Sequence, residues 1–209
     1  MDKGRFITIE GGEGAGKTTL IQALAHTLKA DGYTVMVTRE PGGIRIAEQI
    51  RGVILDCDNT MMEPRTEALL YAAARRQHLT EKIMPALQAG QIVICDRFID
   101  SSLAYQGHAR GIGMDAIRSI NQFAIDGIMP DLTLFMDIEP EVGLQRVRQG
   151  DGREINRLDL EDMQFHRLVR EGYMLLMQEE PERMVRIDAG GTPEQVLEAA
   201  LAVIKGRFS

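Results

Sequence analysis

The sequence has 209 residues, of which 44% are apolar, and this suits one α/β domain (1–209) with a full hydrophobic core. Its 24 basic and 31 acidic residues give a formal net charge of −7, so nucleic acid is a disfavoured partner and an anionic ligand must be met by local arginines. We find no apolar run of transmembrane length and only two widely separated cysteines, Cys57 and Cys95. Because the first residues lead directly into a predicted strand, we also expect no secretory leader. We therefore expect a cytoplasmic protein with reduced thiols and no membrane partner.

The N-terminal stretch predicts a buried strand, a phosphate-binding loop and a helix. Residues 6–9 form a short apolar run, which leads into the pattern Gly11-x-x-x-x-Gly16-Lys17-Thr18. The glycines allow successive backbone N–H groups to turn towards phosphate oxygens, Lys17 is expected to reach the β- and γ-phosphates, and Thr18 to ligate Mg²⁺. A glycine-rich turn that binds nothing is disfavoured by the strand before and the amphipathic helix after. The predicted nucleotide-binding residues are Gly11, Gly12, Glu13, Gly14, Ala15, Gly16, Lys17, Thr18 and Thr19.

Four more strands are predicted along the chain, at residues 33–38, 91–95, 132–136 and 184–187. Because they alternate with helical segments, the expected fold class is a three-layer α/β/α architecture with a five-stranded parallel sheet. Residues 66–90 predict a long helix that is kinked at Pro85. Residues 107–113 predict a loop, and Asp159 is predicted to cap the helix that follows it.

Two features of the sequence each have two interpretations. Asp96, at the end of the third strand, fits either a second Mg²⁺-organising carboxylate or a helix N-cap. Tyr71 and Arg75 are four residues apart on one helix face, which fits either simple packing or a ligand site.

The segment 148–157 combines two glycines with three arginines, Arg148, Arg153 and Arg157. It fits a solvated basic loop, or a lid that closes over phosphates and brings arginines to the transferring group. The phosphate-binding loop favours the lid.

The chain resembles the bacterial thymidylate kinases over nearly its whole length. The resemblance rests on the phosphate-binding loop, on Arg39-Glu-Pro-Gly-Gly43, on Asp96-Arg97 followed by Ser101-Ser-Leu-Ala-Tyr-Gln106, and on the arginine-rich segment 148–157. It implies that ATP and Mg²⁺ are used to phosphorylate dTMP to dTDP, and that the protein is a homodimer with helices packed across a two-fold axis.

The resemblance also implies roles for matching residues. Tyr71 would stack on thymine, Arg75 and Gln106 would hydrogen-bond its edge, and Tyr105 would exclude a ribose 2′-hydroxyl. Glu13 would lie near the sugar 3′-hydroxyl. The implied acceptor-binding set is Arg39, Arg51, Tyr71, Arg75, Arg97, Ser102, Tyr105 and Gln106. The implied catalytic set is Glu13, Lys17, Arg97, Arg153 and Arg157, with Arg148 on the nucleotide and Thr18 and Asp96 on the metal.

Some members of that family carry an arginine where this chain has Gly14; glycine-type members supply basic residues from the lid instead, which agrees with the three arginines here. Which of them approaches the γ-phosphate stays open. A phosphate-binding loop also occurs in three other kinds of protein: a kinase of another nucleotide or deoxynucleoside, a GTPase switch, and an inert nucleotide-binding protein. The thymine-site residues argue against the first. The GTPase is disfavoured because the sequence has no guanine-reading Asn-Lys-x-Asp segment. The inert protein is disfavoured because Lys17 and Asp96 are intact.

Overall fold

The computed structural model describes residues 4–149 and 157–208. The strands are β1 (Arg5–Gly11), β2 (Val35–Arg39), β3 (Ile92–Asp96), β4 (Leu132–Asp137) and β5 (Met184–Asp188). The helices are α1 (Lys17–Ala30), α2 (Arg45–Leu55), α3 (Pro64–His78), α4 (Met84–Gln88), α5 (Ile99–Ser102), α6 (Met114–Ile125), α7 (Pro140–Gln149), α8 (Met163–Glu179) and α9 (Pro193–Phe208).

The five strands form one parallel sheet in the order β2-β3-β1-β4-β5, which confirms the predicted fold class. β1 lies at the centre, with Thr8 opposite Cys95 of β3 on one side and Thr133 of β4 on the other. Since all strands run in the same direction, their carboxyl ends meet at one edge, where α/β proteins bind ligands.

Alternating side chains of the strands build two separate cores, one on each face of the sheet. Phe6, Val93 and Phe135 point into the core that faces α3, α6 and α8. Ile7 and Ile94 point into the opposite core, which α1 and α9 cover. This period of two is the pattern expected for strands buried on both faces.

Three local predictions need correction or refinement. The predicted helix over 66–90 is α3 and α4 joined by a π-helical turn at Leu79–Ile83, just before Pro85. The predicted loop at 107–113 begins later, because a second π-helical segment, Leu103–Ala109, extends α5. The predicted cap at Asp159 is wrong: Asp162 caps α8 and accepts a hydrogen bond from the backbone N–H of Phe165 at 2.8 Å.

No disulfide joins Cys57 and Cys95. Among the residues that the structure describes, no helix has the length and apolar character needed to cross a membrane.

Candidate active site

A cavity of about 810 Å³ opens at the carboxyl edge of the sheet, where β1, β2, β3 and β4 end. Its volume is in the range of small-molecule sites. Fifteen of the residues predicted from the sequence line it: Glu13, Gly14, Ala15, Gly16, Lys17, Thr18, Thr19, Arg39, Arg51, Tyr71, Arg75, Asp96, Arg97, Tyr105 and Gln106. The structure therefore brings the phosphate-binding loop and the proposed acceptor residues into one space.

The phosphate-binding loop ends in a helix N-terminus that no side chain caps. Gly16 has φ of 83°, a left-handed conformation that favours glycine, and α1 begins at the next residue. The Nζ of Lys17 donates to the carbonyl oxygens of Gly11 at 3.1 Å and Gly12 at 2.9 Å. Burial lowers the pKa of Lys17, and Arg97 adds to the shift, while nearby carboxylates oppose it. The loop thus presents backbone N–H groups and one held cation to an anion.

Arg97, Glu13 and Tyr105 form a cluster between the loop and the rest of the cavity. Arg97 Nη2 lies 2.5 Å from Glu13 Oε1, and the hydroxyl of Tyr105 donates to the same oxygen at 3.2 Å. The guanidinium of Arg97 also lies over the Tyr105 ring, 4.8 Å from its centroid. Burial works against the charge of Arg97, but Tyr105 and Glu13 outweigh it and raise the pKa well above its usual value. Arg97 is therefore a fixed positive charge in the middle of the cavity.

Glu10 supports the turn that carries Arg97, and sequence reasoning missed it. One Glu10 oxygen accepts from the backbone N–H of Phe98 at 2.6 Å, and the other from the hydroxyls of Ser101 at 2.6 Å and Tyr173 at 2.8 Å. Burial and the nearby Asp100 raise the pKa of Glu10. Arg97 itself has φ of 68°, a left-handed conformation that is uncommon outside glycine. The hydrogen bonds of Glu10 to the residues that follow Arg97 therefore stabilise a strained backbone conformation.

Asp96 has a buried carboxylate oxygen, Oδ1, with no hydrogen-bond partner in the part of the chain that the structure describes. The N-cap of α5 is Phe98, so the helix-cap interpretation of Asp96 is wrong. Thr18 and Asp96 line the same cavity. The described residues contain no group of three or more His, Cys, Asp or Glu placed to hold a metal, but Mg²⁺ in phosphoryl-transfer sites needs only one or two protein oxygens besides phosphates and water. The oxygens present fit that ion.

Arg75 lines the same cavity, and its guanidinium is held by hydrogen bonds to the protein. Its guanidinium makes five hydrogen bonds, the number of N–H groups it has. The acceptors are Glu40 at 2.8 Å, Ser102 at 3.1 Å (from both Nη1 and Nη2), Asn121, and the carbonyl of Phe98 at 2.9 Å. Arg75 therefore lines the cavity with its guanidinium held in one position, and Ser102 is one of the residues that hold it.

Glu67 of α3 is the second buried carboxylate that the sequence did not reveal. Only 1% of its surface is exposed, and it accepts hydrogen bonds from Gln106 Nε2 at 2.8 Å, from Arg110 at 3.4 and 3.5 Å, and from Arg157. Arg157 also donates to the carbonyl oxygen of Ile54 at 2.9 Å. The structure thus places Arg157 against α2 and α3, and not at the phosphate-binding loop.

The other predicted arginines differ in their surroundings. Arg39 pairs with Glu48 at 2.9 Å, and Arg51 donates to the carbonyl oxygen of Pro41 at 3.0 Å. Arg148 is exposed in the last turn of α7, and Arg153 lies outside the described residues.

A parallel sheet of this order, and a phosphate-binding loop whose cavity is also lined by polar side chains such as Arg97 and Gln106, define a nucleotide kinase of the P-loop class. The sequence profile of the thymidylate kinase family matches residues 9–200. The chain therefore belongs to the thymidylate kinase family, whose members use ATP to phosphorylate dTMP.

Individual relatives agree with this assignment. The chain is 59% identical to the thymidylate kinase of Halalkalibacterium halodurans, with all of both chains covered. It is 62% identical to that of Bacillus velezensis, with 96% of this chain and 95% of the relative covered. The crystal structure of the thymidylate kinase from Ehrlichia chaffeensis superposes with a TM-score of 0.79 at 32% identity, covering 97% of this chain and 99% of that one.

Proposed function

We propose that this cavity transfers the γ-phosphoryl group of ATP to dTMP in line, with Mg²⁺ held by Thr18 directly and by Asp96 through water. The observation that supports this most directly is that one cavity joins the phosphate-binding loop to Tyr71 and Gln106, with Arg97 between them. The Thr18 hydroxyl and the Asp96 carboxylate would hold the ion, and it would supply positive charge against the charge that develops on the phosphate oxygens.

The protein's part in the reaction is positioning and charge neutralisation. The attacking oxygen of dTMP is already anionic, so a strong general base is not needed. Lys17 binds the β- and γ-phosphates, and Arg97 holds the acceptor phosphate against the donor, which lowers the repulsion between two anions. Glu13 accepts from the sugar 3′-hydroxyl while it orients Arg97 at 2.5 Å.

The margins of the cavity complete the proposed site. Arg39 and Arg51 reach the acceptor monophosphate, and Tyr71 stacks on the base. Burial is the main cause of a raised pKa at Tyr71, so its hydroxyl stays protonated and the ring is a neutral platform. Arg148 and Arg153 are the proposed donor-side arginines of the lid segment 148–157, whereas Arg157 supports Glu67.

A homodimer in the cytoplasm is part of the proposal. Large apolar side chains are exposed on α2, α3 and α6, among them Phe123, which is 90% exposed, and Leu69. The three helices are neighbours, and large apolar side chains exposed on adjacent helices are typical of an interface in soluble proteins. Light scattering on a size-exclusion column tests this, and a monomer for both the wild type and Phe123→Asp would contradict it.

ADP release in a coupled assay tests the acceptor. ATP and Mg²⁺ are supplied with dTMP, dUMP, dCMP, dGMP, AMP, UMP or no acceptor. We expect a dTMP-dependent signal, a weaker one with dUMP, and almost none with UMP. A signal that is largest with another acceptor would overturn the acceptor assignment, and one that ignores the acceptor would indicate a simple nucleoside triphosphatase.

A further inference from the structure

The side-chain amide of Gln106 is held in one orientation by a buried carboxylate. Its Nε2 donates to Glu67 Oε1 at 2.8 Å, and both side chains are almost completely buried. Within residues 4–149 and 157–208, no group donates to the other end of the amide, Oε1. Gln106 lines the cavity, so this carbonyl oxygen is the atom it has left to offer a ligand.

Glu67 can enforce this orientation because it is an acceptor only. Burial alone would favour the protonated acid, but Arg110 and the hydrogen bonds from Arg157 and Gln106 reverse that effect and lower its pKa. An ionised carboxylate has no proton to donate, so it binds the NH₂ group of a neighbouring amide and repels its carbonyl. A flipped Gln106 would bring two oxygen atoms together in a buried place, at a high electrostatic cost.

We propose that Glu67 is a positioning residue that fixes the carbonyl of Gln106 towards the acceptor base, and thereby selects bases with a protonated ring nitrogen. This inference rests on the proposed acceptor site. Thymine and uracil have an N3–H that donates to such a carbonyl. Cytosine has an unprotonated N3, so the same carbonyl would meet a lone pair and the complex would lose a buried hydrogen bond.

A guanidinium only donates, so Arg75 cannot supply the acceptor that Gln106 offers. Its five hydrogen bonds engage all of its donors with protein acceptors, including Glu40 and Ser102. The amide of Gln106, in contrast, offers an acceptor that no described residue uses.

The test compares two acceptors that differ only at this edge of the ring, dTMP and 5-methyl-dCMP. The ratio of their kcat/KM values is measured for the wild type, Glu67→Gln, Gln106→Met and the double variant. A glutamine at position 67 can donate or accept, so the Gln106 amide is free to turn. We expect Glu67→Gln to lower the ratio about tenfold or more, Gln106→Met to do the same, and the double variant to equal Gln106→Met alone.

Arg110→Lys is the matched control, because it changes a side chain that hydrogen-bonds Glu67 and keeps the positive charge that favours the ionised carboxylate. It should leave the ratio at the wild-type value even where it lowers stability. If Glu67→Gln does not fold, Glu67→Gln/Arg110→Gln removes one charge of each sign and is compared with Arg110→Gln.

The inference is overturned if the ratio is unchanged by Glu67→Gln, if Arg110→Lys lowers it equally, or if Glu67→Gln still acts in the Gln106→Met background. Those results would leave dTMP kinase activity intact in the wild type. A wild type that does not use dTMP would instead refute the proposed function.

Discussion

Gly14 of the phosphate-binding loop and Gly143 of α7 lie so close together that neither position has room for a β-carbon. A β-carbon on Gly14 would approach the Gly143 backbone closer than 3.0 Å, and one on Gly143 would approach the Glu13 carbonyl oxygen within the same limit. Gly14 also has φ of 69°, a conformation that glycine tolerates best. The packing of α7 on the loop therefore requires glycine at both positions and fixes the shape of the loop from behind.

Gly143→Ala is expected to push α7 away from the loop, and so to lower both the thermal unfolding temperature and the affinity for ATP. Gly206→Ala in α9 is the control, because nothing lies within 4 Å of its β-carbon position. In an exposed helix this control should be neutral or stabilising by about 0.5–1 kcal/mol. Thermal unfolding and the KM for ATP measure the difference; equal behaviour of the two variants would show that α7 does not shape the loop.

The sequence was sufficient for the phosphate-binding loop because its chemistry is local. The loop needs only neighbouring residues, since α1 begins at Lys17, directly after Gly16. The backbone N–H groups and the lysine that bind phosphate therefore all come from one short stretch of the chain. The alternation of short apolar runs with helical segments was likewise sufficient for the parallel sheet.

The buried carboxylates were beyond sequence reasoning because their partners are distant in the chain. Glu10 meets the hydroxyl of Tyr173 across 163 residues, and Glu67 meets Gln106 across 39. Each glutamate looked like an ordinary strand or helix residue until the fold surrounded it. Arg157 shows the same limit: its type and spacing indicated a lid arginine, and its placement against Glu67 follows from tertiary packing.

Tyr105 is expected to select deoxyribose through its ring more than through its hydroxyl. The ring is 2% exposed and packs under Arg97, while the hydroxyl is occupied with Glu13. Tyr105→Ala should lower the ratio of dUMP to UMP turnover about tenfold, as the space next to the sugar opens. Tyr105→Phe keeps the ring and should keep the ratio. A loss of selectivity in Tyr105→Phe as large as in Tyr105→Ala would assign the selection to the hydroxyl instead.

The arginines of the segment 148–157 are expected to separate by role when each is replaced by alanine. Arg153→Ala should lower kcat about 10³-fold, as loss of an arginine from the transferring group does in phosphoryl transfer. Arg157→Ala should mainly lower the unfolding temperature and raise the KM for dTMP, because Arg157 holds Glu67 and the Ile54 carbonyl. Arg118→Ala, on the exposed side of α6, is the control. Near-wild-type kcat for Arg153→Ala would show that Arg153 does not act on the transferring group.

Asp137 at the end of β4 is expected to raise the free energy of unfolding only while its carboxylate is ionised. Its side chain is 1% exposed and accepts hydrogen bonds from Arg170 at 2.7 Å and Arg186 at 2.7 Å. Burial would raise the pKa of Asp137, but the two arginines more than compensate and hold it below the ordinary value of 3.8. A lowered pKa in the folded state means that the stabilisation is complete above pH 3.8 and is lost as the pH falls through the folded value.

Asp137→Asn should therefore lower the free energy of unfolding by about 2 kcal/mol near neutral pH, where the wild-type carboxylate is ionised. The difference between the two proteins should shrink below pH 3.8, since the wild type then loses the same charge. Urea unfolding at a series of pH values measures this, with Asp115→Asn as a control at an exposed aspartate. A difference that stays constant down to the lowest pH would mean that the shape of the side chain, and not its charge, stabilises this end of β4.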